Sequence, residues 1–132
     1  MPHQSKPLIM LLAAVLAAAG CAGIQSFKTN QFETRSWNLL RAIRWGDYDS
    51  AVACLAQGAK APDPKIFEAV KVSDYDTGPL RMSADGMRIT QPATFRYYRT
   101  DTYRERSTAV EMVWRYDPEA KNWFLESGFP AF

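Results

Sequence analysis

The hydrophobic pattern changes its period at Pro62 and Pro64. Before this boundary, apolar residues recur at helical spacing, with Gly and Asp between the segments. After it, the chain consists of short runs rich in Val, Ile, Thr and aromatic residues, separated by turn residues, which predicts strands. Helices followed by antiparallel strands predict an α+β domain in which the helices lie on one side of a sheet.

Two helices are predicted before the boundary, Phe32 to Trp45 and Tyr48 to Ala56. Asp47 is a suitable N-cap for the second helix, and Gly58 is suited to follow its end. The two segments therefore predict a helical hairpin. The apolar side chains of the first helix fall within a stripe about 100° wide: Phe32, Leu39, Leu40 and Ile43.

A second face of the first helix carries Trp37, Arg41 and Arg44. Trp37 and Arg41 are four residues apart, so they are neighbours on a helix surface. The favoured interpretation is that Trp37 packs on another element while the arginines are solvated. The alternative is that this face contacts lipid headgroups.

The first predicted strand is Ile66 to Val72, and a short strand at Leu80 to Ser83 reverses at Ala84-Asp85-Gly86. Met87 to Arg99 follows as a longer strand. Pro92 interrupts it, which indicates an edge position or a bulge because proline has no N–H for the strand ladder.

The clearest strand is Thr108 to Tyr116, whose alternation places Trp114 on a strongly apolar inward face. A polar turn at Asp117 to Asn122 leads to a returning strand at Trp123 to Ser127. Gly128 to Phe132 carries two aromatic residues, so we expect this segment to fold back over the domain.

The element order, the aromatic strands and the sequence RYDPEAKNWFLES resemble the nuclear-transport-factor-2-like (NTF2-like) and cystatin-like group over Phe32 to Phe132. The resemblance implies an N-terminal helical part packed on a curved antiparallel sheet of about four strands. It also implies a cone whose mouth can hold an apolar ligand. No catalytic motif of the group is present to be transferred.

The N-terminal stretch Leu8 to Cys21, LIMLLAAVLAAAGC, follows a polar segment containing Lys6 and is typical of a secretory signal peptide. At about 13 apolar residues it is shorter than the roughly 20 that span a bilayer as a helix. Because a cysteine follows Gly20 directly, the leader resembles a bacterial lipoprotein signal, in which this cysteine is lipidated and becomes the mature N-terminus. Ala18 stands where that family usually has Leu. The alternatives are an ordinary signal peptide cut nearby and an uncleaved anchor.

This resemblance divides the chain into a signal peptide (1–20), a lipidated Cys21 with a short tether (21–31) and one α+β domain (32–132). Ala22, rather than Asp, follows the cysteine. The resemblance therefore implies delivery to the outer membrane, facing the periplasm, in a Gram-negative host.

Composition argues against several function classes. The chain has 16 basic and 14 acidic side chains, and Lys6 leaves with the leader, so the near-neutral domain gives no electrostatic case for nucleic acid. The single histidine, His3, also lies in the leader, which argues against histidine-dependent catalysis and histidine metal sites. We expect no metal and no cofactor. Cys54 is expected to be a buried, inert core residue.

A mixture of tyrosine and arginine near residue 100 is the candidate binding surface, since both residue types are enriched where proteins bind partners. It comprises Tyr97, Tyr98, Arg99, Tyr103, Arg104 and Arg106. The simpler interpretation is a solvated hairpin tip. Asp74, Tyr75 and Asp76, at the end of the first predicted strand, offer a carboxylate and a phenol for acid–base chemistry if they lie in a cavity.

Two functions follow. The favoured one is a non-enzymatic lipoprotein, bound to membrane lipid through Cys21, whose domain binds an envelope protein or glycan or supports the envelope. The alternative is a pocket-containing ligand carrier or a small acid–base enzyme. A deep pocket with a buried carboxylate beside tyrosine favours the second function, and a filled interior favours the first.

Overall fold

The computed structural model describes residues 27–132, so the leader, Cys21 and the start of the tether lie outside the described residues. Helix α1 covers residues 27–45, which includes five residues that the sequence assigned to the tether. No helix within 27–132 is long and apolar enough to cross a membrane. The remaining elements are α2 (Tyr48–Val52), α3 (Pro64–Ala69), β1 (Val70–Thr77), β2 (Arg81–Met82), β3 (Arg88–Arg99), β4 (Glu105–Asp117) and β5 (Asn122–Leu125).

The strands of the described region form one curled antiparallel sheet in the order β1-β3-β4-β5, with the two-residue β2 paired to β3. The long β3–β4 pair is the centre of the sheet, with registers running from Arg88 opposite Arg115 to Tyr98 opposite Glu105. The helices pack against this sheet, which confirms the predicted α+β class with a main sheet of four strands.

The apolar stripe of α1 forms one side of the core, as predicted. Leu39 is fully buried, and Phe32 is 2% exposed. The ring of Phe32 meets Trp114 and Trp123 edge-on, with centroids 5.7 and 5.8 Å apart. The helix is therefore held against β4 and β5 by aromatic packing of the favoured geometry.

The predicted hairpin of Thr108–Tyr116 and Trp123–Ser127 is confirmed in β4 and β5. Trp114 is fully buried on the inner face, whereas Glu111 is exposed on the outer face. From β5, Trp123 adds a second fully buried indole. The two-residue period thus separates a core face from a solvated face.

The prediction of a first strand at Ile66–Val72 is wrong, because its first four residues belong to α3. Asp63 caps this helix by accepting a hydrogen bond from Lys65 N at 2.8 Å, and Pro64 occupies its first turn. A capping residue followed by proline starts a helix well, and this local preference outweighs the β-branched run that follows. The strand begins only at Val70.

Helix α2 is shorter than predicted and ends at Val52 instead of Ala56. The chain after it pairs with β5: Leu125 N donates to Cys54 O at 2.8 Å, and Ala56 N donates to Leu125 O at 2.9 Å. Without this pairing, β5 would leave backbone groups unpaired along its free edge. Backbone hydrogen bonds to β5 therefore replace the helical hydrogen bonds that the sequence pattern predicts for this segment.

Pro92 lies within the central strand β3, opposite Glu111 of β4, and the expected bulge is absent; no strand pairs with it on its other side, so the expected edge position holds only locally. Its carbonyl accepts from Gly78 N at 2.8 Å on the side where β1 ends and β2 has not begun. The missing N–H of Pro92 faces this same gap, where no strand ladder requires it.

Candidate functional site

The outward side of α1 is the first candidate surface, and it corrects the expectation that Trp37 packs on a second element. Trp37 is 53% exposed, and Trp45 and Phe27 are 75% and 60% exposed. Large aromatic side chains exposed together on one helix are unusual on a solvated surface and indicate an interaction site.

Arginines lie over the two exposed indoles. The guanidinium carbon of Arg41 is 5.2 Å from the ring centroid of Trp37, and that of Arg44 is 5.8 Å from the centroid of Trp45. Arg44 also donates to the carbonyl of Val72 at 3.2 Å, which fixes it against β1. The face therefore combines flat aromatic surface with positive charge, as cation–π pairs do.

The candidate binding surface of tyrosines and arginines is only partly assembled. Tyr97 is 7% exposed and lies in the core, where the ring of Phe132 packs at 5.1 Å. Phe132 also meets Phe95 at 5.8 Å. The C-terminal segment thus folds back over the domain as expected, and it covers Tyr97.

The other five residues lie at the turn that joins β3 to β4. Tyr98 and Tyr103 stack with centroids 6.0 Å apart, and Tyr103 is 76% exposed. Arg99 forms an ion pair with Asp101 at 3.4 Å. Arg104 and Arg106 are exposed. We call the group Tyr98, Arg99, Tyr103, Arg104 and Arg106 the hairpin tip.

The acidic segment of β1 forms ion pairs on the outer face of the sheet. Asp74 and Asp76 both pair with Arg96 of β3. The hydrogen bond from Arg96 lowers the pKa of Asp74 below its ordinary value, with help from the Tyr75 N–H. A carboxylate that acts as a general base near neutral pH needs a raised pKa. The pKa of Asp74 is lowered instead, which makes it unsuited to that role.

The described interior contains no carboxylate. Among residues 27–132 the buried polar side chain is Ser36, and the remaining buried positions are apolar or aromatic. Within the same residues, no group of three or more potential metal-ligating side chains lies together. The condition set out for the acid–base function, a buried carboxylate beside tyrosine, is not met in the described part of the chain.

An open groove of about 950 Å³ lies where the segment after α2 passes the end of the sheet. Its apolar side chains include Leu55, Met87 and Phe124, and charged side chains such as Arg88 and Arg115 stand around them. Sequence reasoning missed this groove because it predicted Leu55 to be helical. The signal lay in the last strand, whose unpaired edge can accept a further backbone partner.

Comparison with protein-family models and with curated proteins finds no match for this sequence.

Proposed function

We propose that this chain is a lipid-anchored protein of a bacterial envelope, acylated at Cys21 after removal of residues 1–20. The observation that carries the proposal is the leader Leu8–Cys21, an apolar run that ends in Ala19-Gly20 directly before a cysteine. Ala22 after the cysteine favours the outer membrane with the domain facing the periplasm.

The short distance between Cys21 and α1 supports a position at the membrane surface. Helix α1 is already formed at residue 27, six residues after the cysteine. Six residues reach at most about 21 Å when fully extended, which is less than the thickness of one bilayer. The domain is therefore suited to act at the headgroups rather than at a distance across the periplasm.

The domain itself is proposed to be a non-enzymatic module that binds an envelope protein or glycan or supports the envelope, and it is proposed to be related to the NTF2-like and cystatin-like group. Its described interior lacks a carboxylate for acid–base chemistry. The exposed hairpin tip, with stacked Tyr98 and Tyr103 beside three arginines, has the composition of a partner-binding surface.

Replacement of the lipidated thiol tests this proposal. In cells that make the full chain, Cys21→Ser should move the protein out of the membrane fraction after a high-salt wash, because thioether acylation requires the thiol. One acyl chain binds with only about 10⁴ M⁻¹, so stable attachment requires the further chains that follow at this cysteine. Cys54→Ser is the matched control and should remain in the membrane fraction. A Cys21→Ser protein that stays membrane-bound would contradict the proposal.

A second candidate function, a carrier of an apolar ligand, is favoured by the groove lined by Leu55, Met87 and Phe124. Its volume of about 950 Å³ lies within the range of small-molecule sites. A fluorescent fatty-acid probe should bind the purified protein, and Met87→Arg should abolish the binding. Arg81→Gln, on β2 outside the groove, is the control. Equal probe binding by the wild type and Met87→Arg would eliminate the carrier function.

A further inference from the structure

The outward face of α1 carries a second inference, which rests on the proposed lipid anchor. We propose that this face lies on the phospholipid surface, with Phe27, Trp37 and Trp45 at the depth of the headgroups. Arg41 then contacts lipid phosphate. The lipid at Cys21 would thus hold the protein at the membrane, and α1 would set its orientation there.

The spacing along the helix makes one continuous contact strip. Phe27 and Trp45 are 18 residues apart, about five helical turns, so they point in the same direction about 27 Å from each other. Thr34, Asn38 and Arg41 lie within about 40° of that direction, and Trp37 lies about 80° from it. A strip of this length, with aromatic residues at both ends, is suited to lie flat on a surface.

The opposite side of the same helix is fully occupied by the domain core. Leu39 and Ile43 are buried against the sheet, and Phe32 contacts both core indoles. The aromatic residues on the outward side therefore do not contribute to the core of the domain. Tryptophan is enriched at membrane interfaces, where its apolar ring and polar N–H suit the headgroup region.

Charge favours a phospholipid surface as the occupant. The basic side chains on the outward side of α1 are Arg41 and Arg44, since Lys28 and Arg35 are bonded towards the sheet. The acidic side chains nearby are Glu33 and Asp47, and Asp47 is held by hydrogen bonds from Ser50. No acidic side chain among the described residues forms an ion pair with Arg41. The arginine is therefore available to lipid phosphate, and basic residues near the surface strengthen binding to anionic lipid.

The outer face of the sheet offers a contrast within the same molecule. Its arginines are already paired with carboxylates across strands: Arg81 with Glu111, Arg88 with Glu126, and Arg96 with Asp74 and Asp76. A face with its charges neutralised in this way has little attraction for an anionic surface. Of these two faces, the one that carries α1 is thus better suited to face the membrane.

The short tether between Cys21 and Phe27 keeps α1 close to the membrane surface. Phe27 is at most about 21 Å of extended chain from the lipidated cysteine, so the acyl chains enter the bilayer close to one end of the strip. The anchor raises the local concentration of the helix at the surface, so even a weak interfacial contact is populated.

The test uses the distribution of the four tryptophans. Trp114 and Trp123 are fully buried, while Trp37 and Trp45 are exposed on α1. The lipidated full-length mature protein is reconstituted into liposomes of phosphatidylethanolamine and phosphatidylglycerol, with or without brominated acyl chains that quench nearby indoles. We expect brominated lipid to quench wild-type emission, and the double variant Trp37→Phe/Trp45→Phe to lose at least about two thirds of that quenching. Thermal unfolding checks that the variant remains folded.

The outcomes separate this inference from the proposed function. Protein that floats with the liposomes and shows quenching through Trp37 and Trp45 supports both proposals. Protein that floats but shows no more quenching than the double variant overturns the α1 contact and leaves the lipid anchor intact. Protein that does not float contradicts the anchor, and the α1 contact is rejected with it. Protection of these indoles from aqueous iodide in native membranes but not in liposomes would overturn the lipid contact in favour of a protein partner.

Discussion

The indole N–H of Trp123 donates to the main-chain carbonyl of Lys28 at 2.9 Å, which joins β5 to the first turn of the described part of α1. Trp114 is equally buried and contacts the same ring, that of Phe32. Its own N–H nevertheless has no hydrogen-bond partner among the described residues. The two tryptophans therefore differ in hydrogen bonding while sharing a packing environment.

This difference predicts unequal costs for the same substitution. Trp123→Phe should lower the free energy of unfolding by about 1 kcal/mol more than Trp114→Phe, since it removes a hydrogen bond, whereas Trp114→Phe removes none. Urea unfolding followed by circular dichroism measures both variants without relying on tryptophan emission. Equal costs, or a larger cost for Trp114→Phe, would show that the bond to Lys28 contributes nothing.

Side-chain truncation on the two faces of β4 tests the sheet register. Trp114→Ala should cost about 3–5 kcal/mol because it empties a fully buried site at the centre of the core. Glu111→Ala should cost less than about 1 kcal/mol, since it removes only an exposed ion pair with Arg81, 2.6 Å between the charged atoms. A larger loss for Glu111→Ala would place Trp114 on the outside and contradict the register.

Strong periodic patterns in the sequence predicted the corresponding parts of the fold. The alternation around Trp114 and the stripe containing Leu39 each specify a buried face, because a shift by one residue would expose it. Short elements were less predictable. Helix α3 depends on the cap at Asp63, and the end of α2 depends on the pairing of Leu55 with Leu125, 70 residues further along the chain.

The candidate surfaces were predictable only in part. The exposed tyrosines and arginines of the hairpin tip follow from a turn near residue 100, but Tyr97 is buried because the segment ending in Phe132 covers it. The exposure of Trp37 agrees with the less favoured of the two interpretations of its face. An aromatic residue outside a complete apolar stripe is the sequence signal for an outward-facing contact.

The thiol of Cys54 is predicted to react slowly. Cys54 is 2% exposed, and burial raises its pKa above the ordinary value, although nearby Arg35 works against the shift. Little thiolate should therefore form at neutral pH, and a thiol reagent should label the native protein far more slowly than the unfolded chain. Rapid labelling of the native protein would contradict its placement in the core.

The raised pKa of Cys54 also predicts how the stability of the fold changes with pH. Below the pKa of the unfolded thiol, both states are protonated and the stability is unaffected. As the pH rises above that value, the unfolded chain loses its proton first, so stability falls until the folded thiol also ionises. Cys54→Ala should cost on the order of 1 kcal/mol at neutral pH and reduce this alkaline loss. Urea midpoints measured from pH 7 to 10 would test both effects.

The carboxylate of Asp74 is predicted to remain ionised at mildly acidic pH. Its hydrogen bond from Arg96 lowers its pKa, so its stabilising contribution is present above the unfolded pKa and is lost as the pH falls through the folded pKa. In an NMR titration, Arg96→Gln should raise the pKa of Asp74 towards the ordinary value. Asp85 is the control, since its lowered pKa comes chiefly from the Ser83 hydroxyl and should not change. An unchanged Asp74 would contradict the ion pair.

The covalent state of the mature N-terminus tests the central claim most directly. Protein made in a bacterial host from the full chain is extracted from membranes and digested with trypsin, and its N-terminal peptide is measured by mass spectrometry. The lipoprotein proposal predicts a peptide from Cys21 to Lys28 that carries the mass of a diacylglyceryl thioether. An unmodified peptide that begins at another residue, or a retained leader, would contradict it.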